Sequence, residues 1–203
     1  MVDKKRENSL EDSDVLSFLL NAYFGKIGNP VYSAVDSAYL DLNRTIEFKK
    51  AESVSDEKKA NLRHEAVKTI MTKIESLKRS GNITQASFDI WHKSLCESIL
   101  GVYSKEGIQF HYGQAQKWVN MSLKYLSVIQ KESTAGFFEF MHVPIDSIII
   151  DEANEEFGLQ RPDVRWSRMD EHEYSDYQKR LRSAIITNTD LCPMLWEFRS
   201  WER

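Results

Sequence analysis

The spacing of the apolar residues most constrains what this chain can become. Phe88, Trp91, Leu95, Ile99 and Val102 recur every three or four positions, as do Ala66, Ile70, Ile74 and Leu77 in the segment before. That spacing places each set along one face of an α-helix, and each face must be covered by another element. No stretch alternates convincingly with the period of two that a half-buried strand requires. Four prolines and eight glycines in 203 residues are also too few to punctuate many short strands. The expected fold class is all-α.

Start and stop signals divide the chain into eight helices. A first is expected over about residues 15–24, ahead of Gly25. A second opens at Asn29 and Pro30, a favoured order of cap and first helical residue. A third follows Ser55 and ends by Gly81, and a fourth starts near Thr84. The fifth is expected over 114–130, with Ala115, Trp118, Val119, Ser122, Leu126 and Ile129 buried. Lys117, Met121, Lys124 and Val128 line the stripe beside that face. The last three fall near 147–157, 174–184 and 192–201, and an apolar loop joins the fifth to the sixth.

A chain that is 41% hydrophobic and 29% charged can bury a core. The expected organisation is a flexible tail over 1–12 and one helical domain over 13–203. A formal net charge of -4 excludes a bulk polycation, so nucleic acid could be met only through a local basic face. No apolar run approaches the roughly 20 residues of a membrane span, and the charged N-terminus does not read as a secretory signal. Cys96 and Cys192 read as free thiols of a cytoplasmic, monomeric protein. His92 and Cys96 lie one helical turn apart, but no second ligand pair with zinc spacing accompanies them, so neither metal nor cofactor is expected.

Charge is unevenly placed. Residues 105–131 hold four lysines against the single acid Glu106, whereas 133–160 hold six acids and no Lys or Arg. In the basic part, "YSKEGIQFHYGQAQK" carries Gly107 and Gly113 between two helices. A tight turn centred on Gly113 would expose backbone N–H groups at a helix start, where the dipole favours phosphate. In the acidic part, Asp146 in "HVPIDSIII" stands at another helix start, where it is a strong cap.

Together, "GQAQKWVNMSL" and "HVPIDSIIIDEA" resemble the helix–hairpin–helix DNA glycosylase superfamily, in its lysine-bearing 8-oxoguanine-type branch. Gly113 and Lys117 match the G-x-G-x-K hairpin, and Val143, Pro144 and Asp146 match the V-P-x-D element. Ala115 replaces the usual second hairpin glycine, and the lysine-to-aspartate connection is as long as in the compact archaeal branch. The match covers roughly a fifth of the chain, within the hairpin and catalytic elements expected over 101–157. The resemblance implies a nucleophile at Lys117 and a catalytic carboxylate at Asp146. It further implies DNA contacts from Gly113, Gln114, Gln116, His111 and Lys124. The base pocket would fall to Trp118, Met121, Phe138, His142 and Trp196. The function implied is excision of a modified base, either an 8-oxoguanine-type lesion or a hypermodified phage base such as glucosylated hydroxymethylcytosine, the latter serving antiviral defence. The alternative is a non-enzymatic helical module that binds DNA or protein.

Overall fold

The computed structural model describes residues 9–48 and 54–201. All its regular elements are helical: α1 (Asp12–Phe24), α2 (Pro30–Leu40), α3 (Asp56–Lys78) and α4 (Gln85–Ser104), then α5 (Tyr112–Ile129), α6 (Ser147–Phe157), α7 (Glu171–Asn188) and α8 (Pro193–Ser200). Short 3-10 turns punctuate the connections, and no strand occurs among the described residues. The expected tail falls mainly in residues 1–8, outside the described residues, and α1 already begins at Asp12. No helix among the described residues is long and apolar enough to cross a membrane.

Side-chain caps set most helix starts where the sequence marks them. Asn29 Oδ1 accepts from the Tyr32 amide at 3.0 Å, with Pro30 first in α2. Ser55 caps α3, and Thr84 forms a reciprocal box with Ser87 at the start of α4. α7 begins three residues before the apolar pattern does, because Asp170 and Glu173 form another box there. Each such bond satisfies an amide that the helix cannot pair internally.

The main difference from expectation is α5. Its apolar spacing predicts an amphipathic helix, yet every residue from Tyr112 to Leu126 is buried. Pieces of α2, α4 and α7 pack around it, so it forms the axis of the molecule. A helix covered on all sides must pair each polar side chain it carries. Gln116 Nε2 donates to the carbonyls of Gly113 (2.9 Å) and Ile145 (2.8 Å). Asn120 Nδ2 donates to Gln116 Oε1 and to the Tyr174 hydroxyl, both at 3.0 Å. His92 meets Asn120 Oδ1 at 3.0 Å.

The turn before α5 also differs. Gly107, with φ +68°, makes the reversal after α4. Gly113 lies inside the first turn of α5, where its N–H donates to the Met169 carbonyl at 3.0 Å. A Cβ built on Gly113 would come within 1.8 Å of the Trp166 carbonyl oxygen. This glycine therefore serves close packing of the 166–169 turn.

Candidate functional site

The packing of α5 against the start of α6 brings Lys117 and Asp146 together. Lys117 lies one and a half turns into α5, and Asp146 caps α6. The Lys117 Nζ donates to Asp146 Oδ2 at 2.6 Å, with side-chain exposures of 8% and 18%. The other carboxylate oxygen, Oδ1, accepts from the Ile149 amide at 3.0 Å. One acid thus holds a helix start and an ammonium at once. Gln116 fixes the approach, because it grips the Ile145 backbone through both that residue's carbonyl and its amide.

Two turns further along α5, Lys124 repeats the arrangement. Its Nζ donates to Glu197 Oε1 of α8 at 2.6 Å, with exposures of 8% and 2%. The same ammonium lies 5.1 Å from the Phe198 ring and 4.7 Å from that of Trp201, within cation–π range. Burial lowers the pKa of Lys124, and the positive charge of Lys117 adds to this, against a partial counterweight from Glu197. Glu197 Oε2 is buried with no hydrogen-bond partner.

A third carboxylate faces this group. Asp41 ends α2 and accepts from the Tyr125 hydroxyl at 2.9 Å; that hydroxyl also meets the Tyr23 hydroxyl of α1 at 2.8 Å. Burial raises the Asp41 pKa, although the Tyr125 bond and the charges of Lys117 and Lys124 pull it back. Asp41 and Glu197 were not expected from sequence. Each belongs to an unremarkable helical segment, and only packing against α5 gives it a role.

Several expected site residues are engaged elsewhere. Gly113 offers no free amide, as its N–H is taken by Met169. Gln114 is buried: its Oε1 accepts from the His111 amide, and its Nε2 donates to the Thr45 carbonyl and hydroxyl. Gln116 is spent on Gly113 and Ile145. His111 Nε2 meets Arg168 at 2.6 Å, and Lys124 is paired as described. Buried polar groups must be satisfied internally, and these residues find their partners within the protein.

The residues expected to form the base pocket lie in different surroundings. Trp118 and Trp196 are fully buried, their indoles donating to the Val35 carbonyl and to Glu156. His142 joins the network that runs through Tyr174 and Asn120 to Gln116, with Nδ1 against the Tyr174 hydroxyl at 2.9 Å and Nε2 against Asp89 at 2.7 Å. Met121 remains on the Lys117–Lys124 face of α5, 5% exposed. Phe138 stacks on Phe198 at 6.3 Å and lines an apolar groove of about 570 Å³.

Clefts open on the surface, and one of them begins next to Asp146. One of about 450 Å³ includes Ser147, Ile150, Asp151 and residues of the 161–167 loop, starting one residue beyond Asp146. Another, of about 330 Å³, lies between α4 and α7 beside Asp89, His142 and Arg182. There burial alone would raise the Asp89 pKa, but bonds from His142, Arg182 and Gln85 outweigh it and hold the carboxyl well below its usual range.

The arrangement has definite chemical capacities. It offers an amine that becomes a nucleophile on losing a proton, a fixed carboxylate beside it, and a second ammonium flanked by aromatic rings. No family model matches this chain, and neither a curated protein nor a solved structure matches it.

Proposed function

We propose that this chain is a DNA glycosylase that excises a modified base through Lys117 and Asp146. The observation that carries the reading is the 2.6 Å contact between these two side chains. They are 29 positions apart, one within α5 and the other at the cap of α6, and the motif resemblance names both.

In this reading the target nucleotide leaves the stack, since its glycosidic bond cannot be reached inside the duplex. Substrate entry parts the ion pair, and Lys117 gives up its proton to water. The C1′–N bond breaks with its electron pair leaving on the base, which takes up a proton. The Asp146 carboxylate stabilises the positive charge that develops on the sugar. The Lys117 lone pair then forms a C–N bond to C1′, and ring opening yields a Schiff base. Elimination from that Schiff base would nick the strand, as an accessory lyase step. The substrate is an 8-oxoguanine-type lesion or a hypermodified phage base.

The test is release of free base from duplex oligonucleotides carrying each modification, with borohydride present to trap the adduct. A reduced covalent complex is expected with wild type and not with Lys117→Gln. Base release is expected to be lost in Asp146→Asn. Wild-type release by a folded Asp146→Asn protein would overturn the reading.

A non-enzymatic binding module is the second reading, and one observation favours it. Gly113 gives its amide to Met169, so the anion-binding turn expected before Lys117 is closed. Absence of both DNA binding and base release on every modified oligonucleotide would support that module, with a protein as its partner.

A further inference from the structure

A continuous run of hydrogen bonds joins the cleft between α4 and α7 to the backbone beside Asp146, and that backbone fixes which way each bond points. Gln116 Nε2 faces two carbonyls, those of Gly113 and Ile145, while its Oε1 faces the Ile145 amide, so the side chain has one orientation. Asn120 must then turn its Nδ2 toward Gln116 Oε1, at 3.0 Å, and toward the Val143 carbonyl, at 3.3 Å. The same Nδ2 donates to the Tyr174 hydroxyl at 3.0 Å, which leaves that hydroxyl's single proton for His142 Nδ1, at 2.9 Å. Nδ1 is therefore the accepting nitrogen, and His142 donates from Nε2 to Asp89 Oδ1 at 2.7 Å. Arg182 Nη2 and Gln85 donate to the same oxygen; Nη2 also lies 3.0 Å from His142 Nε2, two donors sharing one acceptor. On the other side Asn120 Oδ1 accepts from His92 Nε2 at 3.0 Å, and His92 Nδ1 faces the Cys96 thiol at 3.8 Å.

We infer that His142 is a positioning residue for the Lys117–Asp146 pair: acting through Tyr174, Asn120 and Gln116, it holds the Ile145 backbone where Asp146 meets Lys117. As a step in catalysis this rests on the role proposed for that pair. An acceptor at Nδ1 draws the Tyr174 proton away from Asn120 and presents an oxygen lone pair to Nδ2. Asn120 is thereby held between Tyr174 and Gln116, and Gln116 grips Ile145, one residue before Asp146. All four side chains of the relay are buried, so water does not compete for these bonds. Burial keeps the His142 imidazole neutral, with Asp89 opposing and the Arg182 charge helping. Only the neutral ring leaves Nδ1 free to accept. His92, whose ring lies 4.4 Å from that of His142, is held neutral by burial as well.

Three variants test this. Tyr174→Phe deletes only the relay hydroxyl and keeps the ring stacked on His92. His142→Leu removes the acceptor, and His142→Asn keeps one near the place of Nδ1. In base release from modified duplex oligonucleotides, Tyr174→Phe and His142→Leu should each lower kcat by about ten- to hundredfold with KM unchanged, the cost of a small misplacement at the reacting atoms. His142→Asn should restore most of the loss, and Tyr174→Phe/His142→Leu should be no slower than Tyr174→Phe, because both act through one relay. Nitrogen NMR of the wild type should show His92 and His142 neutral with the proton on Nε2. Carbon NMR should show the Asp146 carboxyl resonance displaced in Tyr174→Phe. Additive losses, no rescue by His142→Asn, a proton on His142 Nδ1 or an unmoved Asp146 resonance would each overturn the inference. The NMR measurements need no substrate: absent base release by wild type sinks the glycosylase reading, while they still decide whether His142 positions Asp146.

Discussion

Gln116 holds the backbone of Ile145 from both sides: its Nε2 donates to the carbonyl at 2.8 Å and its Oε1 accepts from the amide at 3.2 Å. The next residue is Asp146, so this amide clamp sets the carboxylate against Lys117. Gln116→Leu would leave the Ile145 amide and carbonyl buried and unpaired. The expected loss is on the order of 2 kcal/mol in urea unfolding, since unsatisfied buried groups carry their full desolvation cost. If Gln116→Leu unfolded at the wild-type midpoint, the clamp would have no structural weight.

The two glycines around the start of α5 should respond differently to alanine. Gly113→Ala drives a Cβ against the Trp166 carbonyl, and overpacking of this kind costs about 1–3 kcal/mol. Gly107→Ala meets open space but must hold a left-handed conformation, worth about 1 kcal/mol. Thermal unfolding should therefore rank Gly113→Ala as the less stable variant. The opposite order would place the critical turn at Gly107.

Lys124 and Glu197 form a pair that costs more to break than to replace. Removing one partner from a buried pair typically destabilises by about 3–5 kcal/mol, because a charge is left without compensation. Glu197→Leu should fall toward the lower end, as the Lys124 pKa is already lowered and the amine can shed its proton. Lys124→Met/Glu197→Leu should recover most of the loss. A double-mutant cycle in guanidinium measures this directly, and strictly additive losses would argue against coupling.

Stability should decline in two steps as pH falls. Burial lowers the pKa values of His92 and His142 in the folded protein, so the unfolded chain binds protons first. Their contribution is full above the unfolded histidine value of about 6.5 and shrinks as pH drops below it. Asp89 is held well below its ordinary value. Its contribution is present above the unfolded value of about 3.9 and is lost as pH falls below that. Unfolding midpoints should be lower at pH 5 than at pH 7, and lower again at pH 3. A midpoint that rises from pH 7 to pH 5 would contradict the neutral burial of the two histidines.

The sequence by itself determined the helices. Caps such as Asn29, Ser55, Thr84, Asp146 and Asp170 act over three residues, and apolar spacing acts over one or two turns. Both are local, so they can be read without knowing what packs where. It also marked Lys117 and Asp146 as a pair, through motif resemblance rather than through spacing. Only the tertiary structure decided that α5 is buried on every side. Burial depends on helices from distant parts of the chain closing around one axis, and no local pattern encodes it. That closure turned Gln114, Gln116 and Lys124 inward and gave Gly113 to the Trp166 turn. It also recruited Asp41 and Glu197, because a charge taken out of water has to find its counterpart wherever the fold happens to bring one.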